Sequence, residues 1–355
     1  MVLSERLISA ILFATAGGCA FLILLNRVLL PFRDHPLKSI MILVVACGMT
    51  GGVSGFGFFT GFSVWLVVPI ITLIGVMMGE VHRSRLRLRA KGVPPDETLN
   101  ARIAVTRPLT STDLVITRYT IPFSNWHGPP FRIAHLSDLH ISAHYSAQYY
   151  HDVLRHVAEA HPDMIVFTGD FVTTADDIPL LPQWLPSLNS IAPTFAVLGN
   201  HDYWAGADEV AAAVQEAGIT LLRHTCRTFQ GAGGQSLYLC GDEAPWGQSH
   251  LADHDADMLR IVLTHTPDNI YRLNAAGAQA VFAGHYHAGQ FRIPYLGSVV
   301  VPSAYGRRFD HGHFLVNGTH LFVTSGLGTT VAPIRIYCQP DLFLVDVVGG
   351  NQTSR

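Results

Sequence analysis

Five short apolar runs in the second part of this 355-residue chain each lead to polar side chains that can bind a metal ion. In chain order, residues 133–136 lead to Asp138 and His140, 164–167 to Asp170, 195–198 to Asn200, His201 and Asp202, 259–263 to His265, and 280–283 to His285 and His287. Continuous apolar runs of four to six residues are typical of strands that are buried on both faces. Ligands of α/β sheets gather beyond the carboxyl ends of the strands, so we expect the five groups to converge on one site.

The residue types at these strand ends favour a site for two metal ions. They supply two carboxylates, one amide and four imidazoles, namely Asp138, Asp170, Asn200, His140, His265, His285 and His287. One tetrahedral ion cannot use seven ligands, whereas two ions that share a bridging carboxylate would use them all. Nitrogen and oxygen ligands without thiolate suit Mn, Fe, Zn or Co, and we take Mn²⁺ as the leading candidate. Each motif alone is more often structural; the ordered series of five is what indicates a metal site. Two ions ~3.5–4 Å apart are an arrangement that hydrolyses phosphate esters.

Helical patterns lie between the predicted strands. One apolar stripe is formed by Tyr150, Val153, Leu154, Val157 and Ala158, and a second by Val210, Ala213, Val214 and Ala217. Gly218 follows the second stripe and can end that helix. Strands that alternate with helices predict a layered α/β domain.

Charge divides the chain into two parts with different partners. Residues 1–91 carry nine Lys and Arg against three Asp and Glu, a net charge of +6, and the rest carries 14 against 23, a net of −9. The second part also holds 17 of the 19 histidines. An acidic, histidine-rich body is a poor partner for nucleic acid and a natural one for divalent metal.

The uncharged runs in the first 91 residues predict a membrane anchor. Residues 7–25 and 39–79 contain no charged side chain, and the second run is long enough for two spans of about 20 residues. We predict three transmembrane helices near 7–25, 39–56 and 60–79, with a turn among the glycines of 48–61. The same glycines are also spaced as small-xxx-small helix-packing motifs, and both interpretations stay open. No ionisable residue lies inside these spans, which favours an anchor over a transporter.

Basic flanks set the predicted orientation. In a three-span arrangement, Arg27, Arg33 and Lys38 lie on the same side as the Arg-rich segment 83–91, and the opposite side has only Arg6. The positive-inside rule then places the body in the cytoplasm. The scattered Cys226, Cys240 and Cys338 predict no disulfide framework, which agrees with a reducing compartment. Residues 92–125, rich in proline, are predicted as a linker followed by a first strand around 114–122.

The motifs together resemble the signature of the calcineurin-like metallophosphoesterases. The motifs that carry the resemblance are Ser137-Asp138-Leu139-His140, Gly169-Asp170, Gly199-Asn200-His201-Asp202, Thr264-His265 and Gly284-His285-Tyr286-His287. The resemblance implies a layered β-sandwich flanked by helices over residues 126–348, with a tail at 349–355. The segments His265-Thr266-Pro267-Asp268, Gly326-Leu327-Gly328 and Pro333-Ile334-Arg335 are similar to the membrane-attached bacterial branch. That branch includes YaeI-like and YkuE-like phosphoesterases and a UDP-2,3-diacylglucosamine pyrophosphatase. Ala288 departs from it, because a glycine is usual there; the added methyl group can crowd the substrate.

The same resemblance implies a role for each site residue. It assigns Asp138, His140 and His287 to one metal, assigns Asn200, His265 and His285 to the other, and makes Asp170 the bridge. His201 would stabilise the phosphate or protonate the leaving oxygen, with Asp202 orienting its ring. Tyr203 and Trp204 either contact substrate or pack. His135 is expected in the core, and His311 and His313 on the surface.

The sequence therefore predicts a membrane-anchored, two-metal phosphoesterase. Resemblance to the membrane-attached branch implies the bacterial inner membrane and a lipid-linked phosphoester or pyrophosphate such as UDP-2,3-diacylglucosamine as substrate. The basic flanks place the catalytic domain in the cytoplasm. Two alternatives remain open: hydrolysis of soluble nucleotides or phosphoproteins, and a non-catalytic metal-binding interaction module.

Overall fold

The computed structural model describes most of the chain. The described residues are 2–25, 38–61, 64–89, 91–101, 106–143, 145–231, 234, 236–247, 258–294, 297–330 and 332–350. The chain divides into two compact units. The first contains Met1–Ala90 with Val300–Arg308, and the second contains Lys91–Val299 with Phe309–Arg355.

Apolar helices make up the described part of residues 1–90. They are α1 (Val2–Leu24), α2 (Lys38–Cys47), α3 (Val53–Thr60) and α4 (Val67–Arg89), with a π-helical segment Gly48–Gly52 between α2 and α3. The segments Leu3–Leu24 and Met41–Thr60 are long and apolar enough to cross a membrane, and Val67–Gly79 is a shorter apolar stretch. The first two predicted spans lie on helices, and residues 67–79 of the third lie on α4, whereas residues 62–63 fall outside the described residues. Arg27 and Arg33, used for the predicted orientation, lie outside the described residues.

The predicted glycine turn falls at the end of the glycine-rich stretch. Helical structure continues from Lys38 to Thr60 and breaks at Gly61, whose φ of 59° suits glycine. Gly57 supports the packing interpretation, because a Cβ there would lie 2.6 Å from the Phe13 ring of α1. Gly48 has open space where its Cβ would be, whereas a Cβ on Gly17 of α1 would collide with the Met49 backbone, so the close approaches occur at Gly57 and Gly17 and not at every glycine.

The second unit is built from strands and shorter helices. Its strands are β1 (Lys91–Val93), β2 (Glu97–Leu99), β3 (Val115–Phe123), β4 (Phe131–Leu136), β5 (Met164–Thr168), β6 (Thr194–Val197), β7 (Thr220–Leu221), β8 (Cys226–Gln230), β9 (Ser236–Asp242), β10 (Leu259–Thr264), β11 (Ala280–Ala283), β12 (Arg292–Ile293), β13 (Gly297–Ser298), β14 (Gly312–Val316), β15 (Thr319–Val323) and β16 (Asp341–Gly349). Its helices are α5 (Ala147–Glu159), α6 (Leu185–Ile191), α7 (Asn200–Glu216) and α8 (Ile270–Ala275).

Two mixed sheets face each other across a shared core. One has the strand order β2-β3-β16-β4-β5-β6-β7 and the other β1-β14-β15-β11-β10-β9-β8. Ile133 and Phe343 of the first sheet share a buried cluster with Ile261 and Phe282 of the second. Helices α5, α6 and α7 bury their apolar stripes, which include Val153, against a separate cluster. The predicted helix-flanked sandwich is confirmed, and the neighbours β4, β5 and β6 run parallel, as do β10 and β11.

The predicted linker is partly sheet. Strand β1 pairs with β14, and β2 pairs with β3, so residues before the predicted first strand already belong to the sheets. Strand β3 itself agrees with the expectation for 114–122. Isolated three-residue strands carry too weak a pattern to be read from sequence, because partners far along the chain supply their hydrogen bonds.

A disulfide joins Cys226 to Cys240, which corrects the expectation of unpaired cysteines. The two residues stand directly opposite each other on the antiparallel strands β8 and β9, with Cα atoms 4.0 Å apart. Residues opposite each other on antiparallel strands bring their side chains close together. Fourteen residues separate the two cysteines in sequence, so the pairing depends on a hairpin register that spacing alone does not give.

Candidate metal centre

All five predicted strand ends meet at one place in the second unit. Strands β4, β5 and β6 of one sheet and β10 and β11 of the other bring their carboxyl ends together there. The predicted ligands fall into two groups whose ligand atoms lie within 4.8 Å of one another: Asp138, His140, Asp170 and His287 in the first, and Asp170, His265 and His285 in the second. Asp170 belongs to both groups.

The first group is fully packed inside the protein. The Nε2 atom of His140 lies 3.4 Å from Oδ2 of Asp170 and 3.2 Å from Nε2 of His287. The Nε2 atom of His287 is also 3.2 Å from Oδ1 of Asp138. Four side chains from three separate chain segments thus point their lone-pair atoms at one small volume.

The second group gathers on the other side of Asp170. Nε2 of His265 lies 3.1 Å from Oδ2 of Asp170, 3.0 Å from Oδ1 of Asn200 and 3.1 Å from Nδ1 of His285. Asn200 is the first residue of α7, so its amide oxygen reaches the group from a helix start. The structure therefore brings all seven predicted ligand positions close together.

These residues fit two divalent cations. Ligands bound about 2.0–2.1 Å from one ion at right angles stand about 3 Å apart, which is the spacing seen within each group. Several of the short separations join two imidazole nitrogens, or a nitrogen and an oxygen, whose lone pairs face each other. A cation or a proton is needed between such atoms. The site therefore calls for positive charge in two adjacent places.

Electrostatics of the side chains point the same way. Burial opposes ionisation of Asp138 and Asp170, yet His287 holds the pKa of Asp138 well below its usual range, and His265 does the same for Asp170. Burial would lower the pKa of His265, but the charge of Asp170 outweighs it and raises the pKa to about 9. Burial lowers the pKa of His285 to about 3, which keeps its imidazole neutral and able to bind metal. The two carboxylates are anionic and His265 keeps its proton beside them, so the site favours positive charge.

Backbone strain is concentrated at the ligands. Five of the seven have left-handed backbones, with φ of 50° at Asp138, 40° at His140, 57° at Asp170, 70° at His285 and 48° at His287. Each such residue costs roughly 1–3 kcal/mol and persists only where its surroundings enforce it. Strand β4 ends at Leu136, so Asp138 and His140 lie beyond it and not on it. The two side chains face one site because of these turns, not because of strand alternation.

Asp202 holds the loop that carries the bridging carboxylate. Its two carboxylate oxygens accept hydrogen bonds from the backbone N–H groups of Asp170, Phe171, Val172 and Gly199. Burial, with the charge of Asp170, raises the pKa of Asp202 to about 8. The prediction that Asp202 orients the His201 ring is corrected, because adjacent residues at the start of a helix point in different directions. Asp202 positions Asp170 instead.

His201 lies beside both ligand groups and belongs to neither. Its Nδ1 atom is 3.4 Å from the Thr173 carbonyl oxygen, and its Nε2 atom is 3.4 Å from the Thr330 hydroxyl. Its ring centroid lies 4.9 Å from that of His140. The backbone N–H of His201 donates to Oδ1 of Asp170, which ties it to the bridge. A half-buried imidazole thus lies next to the candidate metal ligands.

Arg335 is a site residue whose role the sequence reasoning missed. Its guanidinium is fully buried and donates to the carbonyls of Ser325, Gly326 and Gly328. Its Nη2 atom also lies 3.4 Å from Nδ1 of His287. Arg335 belongs to the Pro-Ile-Arg segment that contributes to the family resemblance. The sequence around it does not indicate what its side chain contacts.

Two tryptophans also contact the site. The Trp204 ring lies 4.8 Å from the His201 ring, and the Trp246 ring lies 5.1 Å from that of His285. Trp204 follows the Asn-His-Asp motif directly and was a candidate for substrate contact or packing. Trp246 had no sequence signal, because it lies in a loop far from any motif.

The other residues discussed in the sequence analysis lie outside the two ligand groups. His135 is in the core as predicted, and burial lowers its pKa to about 3. His313 is wrongly predicted at the surface: it is buried in β14 and stacks on Phe322. His311 is partly exposed and pairs with an aspartate. Ala288 is 2% exposed, so its methyl group is packed inside rather than presented to a substrate.

Comparison with known proteins agrees with this geometry. Residues 131–289 match the family described as calcineurin-like phosphoesterase. The chain is similar to the uncharacterised metallophosphoesterase YkuE of Bacillus subtilis, with 28% identity over 71% of this chain and 90% of that protein. It is also similar to the phosphodiesterase YaeI of Escherichia coli, with 28% identity over 66% of this chain and 88% of that protein.

Proposed function

Because the chain carries a calcineurin-like metallophosphoesterase domain and is a hydrolase of phosphoesters, we propose that two divalent cations bind on either side of Asp170. Asp138, His140 and His287 would hold one, and Asn200, His265 and His285 the other. The observation that carries this proposal is the single carboxylate of Asp170 within reach of imidazoles from both groups. Mn²⁺ is the leading candidate, and Fe, Zn or Co suit the same donor set. Such a pair of ions supplies an activated water and neutralises phosphate oxygens.

His201 is the proposed proton donor to the leaving oxygen. An imidazole transfers protons near neutral pH, and the ring lies beside the ligands without being one of them. The Thr173 carbonyl and the Thr330 hydroxyl hold the ring in place. Asp202 acts at one remove, by fixing the backbone on which Asp170 and the ring depend.

Paired substitutions test these roles. Asp170→Ala should abolish hydrolysis and remove bound metal, because the shared carboxylate is lost from both groups. His201→Ala should lower kcat about 10²–10⁴-fold, the usual contribution of a positioned acid, while both metals stay bound. The measurements are p-nitrophenyl phosphate turnover and elemental analysis of the same preparations. Equal metal loss in His201→Ala and Asp170→Ala would contradict the assignment.

The proposed substrate is a phosphoester or pyrophosphate of a lipid, with UDP-2,3-diacylglucosamine as the leading candidate. Support comes from the apolar helices of residues 1–90 and from resemblance to the membrane-attached branch. A chain held at a bilayer meets membrane substrates at a raised local concentration. Detergent-purified protein in Mn²⁺ should release UMP from this compound. Rapid turnover of a soluble nucleotide or a phosphoprotein without that release would favour those substrates instead. Metal binding without any turnover would favour the interaction module.

The catalytic unit is proposed to lie on the cytoplasmic face, in a protein that crosses the bacterial inner membrane more than once. The Arg-rich flank at 83–91 supports this side through the positive-inside rule. The Cys226–Cys240 disulfide supports the opposite side, because such bonds persist in oxidising compartments. A reporter fused after residue 355 decides between them: activity of a cytoplasm-specific reporter supports the proposal, and activity of a periplasm-specific one reverses it.

A further inference from the structure

Two half-buried indoles stand beside the metal ligands on different sides. The Trp246 ring centroid lies 5.1 Å from that of His285 and 5.7 Å from that of His265, both ligands of the second group. The Trp204 ring lies 4.8 Å from that of His201. A phosphate held by the two ion positions would thus have an aromatic face within reach of the group it carries.

The loop that presents Trp246 is firmly held. The buried carboxylate of Glu243 accepts hydrogen bonds from the backbone N–H of Leu198 and from the Tyr203 hydroxyl, the latter at 2.6 Å. The carbonyl of Ala244 accepts from the amide of Asn269 at 2.7 Å. The Trp246 ring is therefore placed in advance, which lowers the cost of binding a ligand against it.

The polar edge of each indole distinguishes these two tryptophans from those in the core. Trp126 and Trp184 are buried, and their N–H groups donate to the carbonyls of Pro129 and Tyr150. Within the part of the chain that the structure describes, the N–H groups of Trp204 and Trp246 have no hydrogen-bond partner. Neither is a buried, unsatisfied atom, so both donors face solvent.

We propose that Trp246 binds the base of a nucleotide whose phosphate occupies the metal centre. The proposal rests on the proposed function and narrows its substrate class to nucleotide esters or anhydrides. A flat base can stack on the indole face through its own π-system, or accept from the N–H at the indole edge, whereas an acyl chain offers neither a π-face nor an acceptor atom. Stacking of a base on an aromatic side chain contributes enough to change affinity by about tenfold or more.

Binding of simple phosphates separates this role from packing. The full chain, loaded with Mn²⁺ in detergent, is titrated calorimetrically with inorganic phosphate, ribose 5-phosphate and UMP. Trp246→Ala should weaken UMP about tenfold and leave phosphate and ribose 5-phosphate unchanged. Trp246→Phe, which keeps an aromatic face, should recover part of the loss. Trp184→Phe removes a core indole and should change none of the three affinities.

The outcomes distinguish errors about the Trp246 ring, about the group that it contacts and about the metal centre. Equal weakening of UMP and phosphate in Trp246→Ala, with metal content retained, means that the ring only packs against the ligands and overturns the inference. If Trp246→Ala weakens the binding of ribose 5-phosphate as much as that of UMP, the ring contacts the sugar and the assignment to the base is wrong. If phosphate fails to bind the Mn²⁺-loaded wild type, the metal centre itself is wrong, whatever the tryptophans do.

Discussion

Replacing Arg335 with methionine should weaken one metal position far more than the other. The guanidinium bonds to the segment 325–328, with distances of 2.7 Å to the Ser325 carbonyl and 2.9 Å to that of Gly326. This segment packs directly behind the first ligand group: the N–H of Gly328 donates to the Asp138 carbonyl at 2.7 Å. A Cβ on Gly326 would lie 2.6 Å from that of Asp138. Arg335 therefore supports Asp138 through the backbone it holds.

The size of the effect follows from these contacts. A hydrogen bond to a charged group contributes about 1.5–3 kcal/mol, and a buried acceptor left unpaired costs about 1–3 kcal/mol. The bonds to neighbouring carbonyls are not additive, so the loss of unfolding free energy in Arg335→Met should be about 3–5 kcal/mol, as for breaking a buried ion pair. Partners that orient metal ligands typically change metal affinity about 10–100-fold. The position formed by Asp138, His140 and His287 should weaken by that factor.

Metal stoichiometry after dialysis is the decisive measurement. Arg335→Met, dialysed against low Mn²⁺ below its unfolding temperature, should keep close to one ion per chain where the wild type keeps two. Arg335→Lys, which retains a charge, should fall between them. Arg260→Met is the matched control, because Arg260 of β10 is also buried but bonds to the Ala276 carbonyl at the end of α8, so its loss should not change the stoichiometry. Two ions retained in Arg335→Met, or one lost in Arg260→Met, would refute the reasoning.

Two further predictions concern the backbone and the core. Gly169→Ala should abolish activity, because its Cβ would lie 2.5 Å from the Gly199 nitrogen at a φ of 89°. Gly318→Ala, at a φ of 90° with open space, should lose only stability; equal activity of both variants would rule out the close approach as the cause. Burial lowers the pKa of His135 and His313 to about 3 and of His320 to about 4. The unfolded chain takes up protons below pH 6.5 that the folded chain refuses, so stability falls as pH falls. From pH 6.5 to 5 each histidine should cost up to about 2 kcal/mol in urea unfolding, and a His313→Phe variant with the same slope would contradict this.

The convergence of the candidate ligands could be predicted because each one lies within four residues of the carboxyl end of a strand. An apolar run of four to six residues fixes where the strand ends, and parallel strands bring their carboxyl ends to the same edge. Asp170 after β5 and His265 after β10 illustrate this, since each belongs to a different sheet and both reach the same point. The apolar runs and the carboxyl ends of the strands were sufficient to predict this convergence. The left-handed backbone at Asp138 and His140 was not predicted.

The supporting residues could not be predicted, because their contacts connect distant parts of the chain. Arg335 reaches His287 across 48 residues, and Glu243 reaches Leu198 across 45. Neither pair has a periodicity or a spacing that a local pattern could show. The Cys226–Cys240 disulfide was not predicted for the same reason, since it depends on strand register.

Asp202 shows how proximity in sequence misleads about proximity in space. It follows His201 directly, and a carboxylate next to an imidazole suggests that the acid orients the ring. In α7 the first turn instead directs Asp202 back into the β5 loop, where four backbone N–H groups, that of Asp170 among them, surround it. The Asp202 carboxylate therefore fixes the backbone of Asp170 and does not assist the His201 ring. The His201 ring lies instead 3.4 Å from both the Thr173 carbonyl and the Thr330 hydroxyl, and both groups belong to loops in which the sequence shows no periodic pattern.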